Sequence, residues 1–189
     1  SNIPSGLGTP FYENNIPSRD AGSVSIAKQS GCIFLGKTVS TELGHRGPGQ
    51  TTNPHNKNFT PGGSSSGSAA AVAAMMAPVC FGTQTTGSVI RPAAYCGIVG
   101  YKPTYGDFDK SGILPNSPTI DTLGLMTRSV EDVSLFRSIL LEEKIIISFN
   151  QLEDYYKDNY YFRYLIWNKF LILKHFRISR GSRVKCMMF

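Results

Sequence analysis

The stretch PGGSSSGSAAAVAA, residues 61–74, runs from a proline and two glycines through a cluster of serines into an alanine-rich segment. Its second half decides the fold class. From Ser68 to Ala77 no side chain carries a charge, and a helix that is apolar on every face is a buried one. Small side chains let such a helix lie close against its neighbours. Pro78 is expected to end it, because proline lacks a backbone N–H and clashes with the preceding turn. The first half raises a chemical question. Hydroxyls crowded where a loop becomes a helix suit a linker, an anion cradle or a catalytic site that uses serine.

Outward from this helix, short apolar runs alternate with helical segments. Residues 1–19 are rich in Gly, Pro, Asn and Ser and read as loop. Asp20 is placed to cap a helix that ends before Gly31. CIFLG, residues 32–36, has the look of a buried strand, and TVSTELG gives one or two helical turns. Residues 44–63 return to loop. Beyond the alanine helix, VCFGT reads as a second buried strand. TQTTGSVIRPA is a turn that opens a helical turn, and YCGIVGYKPTYG holds a strand and an exit loop. In the segment 121–140 a short run precedes a helix. Ser129 and Asp132 form its capping box, and Val130, Val133, Leu135, Phe136 and Leu140 form its apolar stripe. This alternation through residue 140 favours an α/β layering, with a sheet covered by helices.

The chain has 189 residues, 41% hydrophobic and 17% charged, which is the composition of a globular protein. The net charge of +6 is too mild to point to nucleic acid. It is also uneven: from Ile139 onward there are nine Lys and Arg against five Asp and Glu. Texture changes at the same place. Residues 139–189 are crowded with Tyr, Phe, Ile and Lys and read as a divergent basic, aromatic tail, set apart from residues 1–138. Of the four cysteines, Cys32, Cys80 and Cys96 lie in apolar runs, and with Cys186 they form no CxxC pair. They read as buried free thiols, consistent with a reducing, cytoplasmic setting. Asn58 opens a glycosylation sequon, with nothing else to suggest secretion. No apolar run is long enough to span a bilayer. The opening SNIPSGLGTP has no signal-peptide features and reads as the interior of a longer sequence.

A serine nucleophile needs something to take its proton. The histidines are His45, His55 and His175, the first two in polar loops near the serine run. There is no GxSxG elbow. A phosphate loop would need GxxxxGK[ST], and PGGSSSGS has no lysine to reach a phosphate.

PGGSSSGSAAA is followed by GTQTTGSVIRPAAYCGIVGYKPTYG, residues 82–106. With GCIFLGKTVSTELG upstream and DTLGLMTRSVEDV downstream, the ordered set resembles the amidase signature family over roughly residues 1–137. HRGPGQTTNPHN, residues 45–56, is similar to the general bacterial-type amidases among its members. The resemblance implies a partial amidase-signature fold with a mixed β-sheet core covered by helices. It also implies C–N bond hydrolysis through a Ser–cis-Ser–Lys triad. Ser88 matches the nucleophile and Ser64 the cis-peptide serine that bridges it to the lysine. The backbone N–H groups of Thr85, Thr86, Gly87 and Ser88 match the oxyanion hole. Ser65, Ser66 and Thr83 match hydrogen-bonding support around the site, and Arg91 is expected to hold the nucleophile loop through carbonyls or a carboxylate. Gln84 stands where the family commonly has Asp, and Thr86 where a glycine is usual.

The family's lysine lies in a KDN-like segment that, by spacing, falls before Ser1. Lys37 and Lys102 match positions that are structural in the family, and Lys28 is expected on an exposed helix face. On that ground the chain alone is expected to be inactive. The competing reading is an inert remnant of the fold with a basic surface tail. The resemblance implies a small-molecule amide as substrate and no metal, organic cofactor, nucleic acid or transmembrane segment. It leaves the particular amide and the oligomeric state open.

Overall fold

A computed structural model describes residues 2–143 and 187–188 of the chain. The sequence expectations for the rest of the tail, and for Cys186 and His175, lie outside the described residues. In chain order the elements are α1 (Gly22–Gln29), β1 (Ile33–Phe34), α2 (Ser66–Ala73), β2 (Val79–Gln84), α3 (Ile90–Tyr95), β3 (Val99–Tyr101), β4 (Thr122–Thr127), α4 (Val130–Leu140) and β5 (Met187–Met188). The five strands form one sheet in the order β1-β5-β2-β4-β3. β4 pairs antiparallel with β2 and β3, while β5 runs parallel to β1 and β2, so the sheet is mixed.

Strand residues alternate between faces, and that alternation builds two cores. Val79 and Leu125 point to one side and pack with Ala27, Phe108, Phe136 and Leu140, from α1, α4 and the loop before β4. Cys80 and Met126, one residue along each strand, point to the other side. There they meet Ala69, Val72, Val89 and Cys96, from α2, α3 and their ends. The result is a helix–sheet–helix sandwich, the α/β class expected. Every residue of β4 is buried, and fully burying a Leu or Met side chain stabilises by about 1.5–3 kcal/mol. Cys32, Cys80 and Cys96 are buried free thiols. None of the described helices is long and apolar enough to cross a membrane.

The departures from expectation have local causes. Ala21 takes the N-cap of α1, because the Asp20 carboxylate accepts a 2.7 Å hydrogen bond from Lys28 Nζ instead. That bond holds the Asp20 carboxyl down to a pKa of about 2. CIFLG is not buried throughout: Ile33 is 45% exposed, since β1 lies at the sheet edge and turns only Cys32 and Phe34 inward. In TVSTELG only Glu42–Gly44 makes a tight turn, and its middle residue Leu43 is left-handed at φ +48 rather than helical. α4 has the expected cap, with Ser129 Oγ accepting from Asp132 N–H at 3.1 Å. Val130, however, is 63% exposed, and Ile139 takes its place in the buried stripe. Helix α2 begins two residues earlier than expected and stops at Ala73, well before Pro78. What stops it is a left-handed residue, Met75 at φ +59. Its N–H donates to Val72 O and that of Met76 to Ala71 O, satisfying the last carbonyls.

Candidate active site

The serine run is the N-terminal end of α2. Ser66, Gly67 and Ser68 are all buried in its first turn, and the segment 38–41 wraps that turn with its backbone. Gly67 N–H donates to Val39 O at 2.8 Å, and Thr41 N–H donates to Ser64 O at 3.0 Å. Ser66 Oγ donates to Val39 O, and Ser68 Oγ shares a 2.8 Å hydrogen bond with Thr38 Oγ1. The approach is so close that a Cβ on Gly67 would lie 2.6 Å from both the N and O atoms of Val39. Ser65 faces the sheet, its Oγ donating to Thr83 O at 3.4 Å. The peptide bond between Gly63 and Ser64 is cis.

The second loop leaves the end of β2 and turns into α3. Gln84 closes that turn: its side-chain oxygen accepts the N–H groups of Val89 at 2.9 Å and Ile90 at 3.0 Å. A neutral amide thus supplies an acceptor where the family commonly has a carboxylate. Thr86 keeps out of the left-handed region, so its β-branched side chain sits without backbone strain. Arg91 crosses to the first loop, its Nε donating to Gly63 O at 2.9 Å.

The two loops meet where Ser65 N–H donates to Ser88 O at 3.3 Å. Ser64 is 4% exposed and Ser88 8%. Among the described residues, neither hydroxyl makes a hydrogen bond, and none of the N–H groups of Thr86, Gly87 and Ser88 donates one. Two adjoining loops therefore present hydroxyls and amide hydrogens that no described residue consumes. On the Gly63 side a cleft of about 370 Å³ opens, bordered by Thr41, His45, Arg46, Arg91 and Tyr95.

Sequence reasoning missed Asp121. Its Oδ1 accepts from Thr85 Oγ1 at 2.5 Å, and its Oδ2 accepts the N–H groups of Asn116 and Ser117, each at 2.7 Å. Burial pushes the Asp121 carboxyl up, but those hydrogen bonds and the Lys110 charge outweigh it and hold the group below its ordinary value. The only sequence signal was an acidic residue directly before an apolar strand, and its partners are invisible there.

The other candidates are occupied elsewhere. Lys37 Nζ donates to Ile3 O and Ser5 Oγ, in a setting whose burial lowers its pKa despite the charge of Asp20. Lys102 Nζ donates to the neighbouring Pro103 O. His55 Nε2 pairs with Cys96 O at 2.8 Å and fixes its loop. Burial raises the pKa of the Cys96 thiol, which donates weakly to Pro61 O. No cluster of three or more metal-ligating side chains occurs among the described residues.

The family model described as Amidase matches residues 1–159. A glutamyl-tRNA(Gln) amidotransferase subunit from Desulforapulum autotrophicum is 38% identical over 146 residues, covering 74% of this chain and 30% of that protein. Its counterpart from Lawsonia intracellularis is 39% identical over 166 residues, covering 82% and 34%. Among solved structures, an amidase family protein from Bacillus anthracis superposes with a TM-score of 0.70. It is 32% identical, and the match covers 83% of this chain and 33% of that one. Native peptide amidase from Stenotrophomonas maltophilia gives 0.69 at 39% identity, covering 73% and 30%. The chain thus spans about a third of the length of these relatives. Loops, sheet and sequence agree, and the chain belongs to the amidase family.

Proposed function

We propose that this chain carries the serine half of a carboxamide-hydrolysing site, with Ser88 as nucleophile and Ser64 as proton relay. Ser88 Oγ attacks the amide carbonyl and forms the new C–O bond while its proton passes to Ser64, whose own proton passes to the lysine base and is later returned to the leaving nitrogen. The C–N bond then breaks, ammonia or an amine leaves with a proton, and water hydrolyses the acyl-enzyme to the carboxylic acid. The N–H groups of Thr85, Thr86, Gly87 and Ser88 stabilise the negative charge on the carbonyl oxygen, and losing one such donor costs about 3 kcal/mol in comparable sites. The general base is a lysine that residues preceding Ser1 would contribute, kept neutral by burial. The substrate is a small-molecule amide, and the setting is cytoplasmic. The relatives named for glutamyl-tRNA(Gln) amidotransferase and peptide amidase extend the range of amides to test.

The observation that carries this reading is the junction of the two loops, where Ser65 N–H reaches Ser88 O at 3.3 Å beside two hydroxyls that no other described residue engages. A fluorophosphonate probe tests it on the full chain preceded by a family segment that supplies the lysine. The expected result is a phosphonyl adduct on Ser88, found by peptide mass spectrometry and lost in Ser88→Ala. An inert chain is the second reading, favoured by the fact that Lys37 and Lys102 are bonded away from Ser64. Complete absence of the adduct establishes that reading.

A further inference from the structure

A second concavity lies beside the oxyanion loop. It measures about 330 Å³, at the lower end of the volumes typical of ligand sites. Thr83 and Thr85 form part of its floor with Thr122 and Asp121, and Tyr105, Ile113, Leu114, Pro115 and Pro118 form its walls. The two charged groups on its lining are already engaged. Asp121 accepts three hydrogen bonds, one from Thr85 and two from the wall at Asn116 and Ser117. Lys110 Nζ donates to Asp121 O and sits 4.2 Å from the centre of the Tyr105 ring. Tyr105 spends its hydroxyl on Pro118 O. What remains facing the cavity is mainly hydrocarbon and one aromatic face. A free carboxylate entering it would meet the Asp121 carboxylate, on which the Lys110 charge already acts.

We propose that this cavity is the subsite for an uncharged, apolar group of the amide substrate, a short alkyl or aryl group attached close to the scissile carbonyl. The assignment rests on the hydrolase reading above for its link to catalysis, because Thr85 belongs both to the cavity floor and to the proposed oxyanion loop. It selects amides such as phenylacetamide or hexanamide over amides that carry a carboxylate, such as glutamine. Asp121 ties the wall to Thr85, so filling the cavity steadies the loop that receives the carbonyl oxygen.

Binding tests this without requiring turnover. Saturation-transfer NMR on the full 189-residue chain should show phenylacetamide contacting the protein in the wild type and in Ser88→Ala. L-glutamine should bind at least about tenfold more weakly, a difference of about 1.4 kcal/mol. Leu114→Asp should reduce phenylacetamide affinity by a similar factor. Leu114 is 49% exposed, so the change charges the wall without emptying the core. Leu114→Trp, which fills the space instead, should act in the same direction. Glutamine binding as well as phenylacetamide, or both Leu114 variants leaving phenylacetamide binding unchanged, overturns the assignment. The hydrolase reading fails separately, on the missing Ser88 adduct.

Discussion

The loop that carries Ser64 and the loop that carries Ser88 meet at one backbone hydrogen bond, yet they are held by different means. Around Ser64 main-chain contacts with the 38–41 segment are close: Thr41 N–H on Ser64 O, Gly67 N–H on Val39 O, and a helix start with no room for a Cβ, beside the hydroxyl bonds of Ser65, Ser66 and Ser68. Around Ser88 the grip is mostly side chain. Gln84 accepts two amides, Asp121 receives Thr85, and Arg91 reaches Gly63 O. Ser64, the proposed relay, thus sits where backbone contacts are tight, whereas Ser88, the proposed nucleophile, and the amide hydrogens beside it are set by polar side chains.

Gly67→Ala is the severest test of the backbone mould. Alanine favours a helix by about 1 kcal/mol over glycine, so in open space the change would stabilise. Here the added carbon meets backbone atoms of Val39 at 2.6 Å, which cannot rotate away. A net loss of about 3 kcal/mol is expected, read as a lower urea midpoint, and a gain would mean that the 38–41 segment yields. Gln84→Ala comes next, on the side-chain half. It leaves the N–H groups of buried Val89 and half-exposed Ile90 without their acceptor, at an expected cost of about 2 kcal/mol. Phosphonylation of Ser88 should slow by more than the stability loss explains, because the orphaned amides directly follow Ser88.

Asp121→Asn is the milder change on the same loop. The amide oxygen replaces one carboxylate oxygen, but the nitrogen cannot accept. About 1.5 kcal/mol should be lost at pH 7. The sign of the pH dependence follows from a carboxyl held below its ordinary value. Its contribution is fully present above the unfolded-state pKa of about 3.9 and disappears as pH falls through the lower folded value. Urea titrations of wild type and variant should therefore converge as the pH falls through the lowered folded-state value. A gap that persists there assigns the effect to packing and removes Asp121 from the electrostatic half of the comparison.

Much of the scaffold was legible because burial writes its own period. The uncharged run after Ser68 marked a helix buried all round, VCFGT marked β2, and Ser129 marked the cap of α4. Within the site the residues alone gave only a serine-rich loop with several meanings, and it was the resemblance that singled out Ser64, Ser88 and Arg91. Asp121 stayed hidden because Thr85 is far away in sequence and the other two partners are backbone amides of a neighbouring turn. Periodicity reports which face of an element is apolar, not which distant loop needs an acceptor. The same gap misplaced Asp20, whose carboxylate chose Lys28 over the helix end, and Ile33, whose outward turn depends on the strand's place in the sheet.

The smallest expected effect sharpens the comparison from the far end of α2. Met75 occupies the left-handed position that ends the helix, with φ +59 and its N–H on Val72 O. That conformation costs a residue with a Cβ roughly 1–2 kcal/mol, and glycine avoids the cost at the expense of a looser unfolded chain. Met75 is 54% exposed, so its side chain contributes little packing to lose. Met75→Gly should therefore stabilise by about 0.5–1 kcal/mol, raising the melting temperature by about 2 °C for a chain of this size. If the mould around Ser64 is set by the contacts at the start of the helix, relieving its end should leave the rate of Ser88 phosphonylation unchanged. A rate that moves with stability would mean that α2 transmits strain along its whole length, and that the backbone half of the site is less rigid than its contacts with Val39 imply.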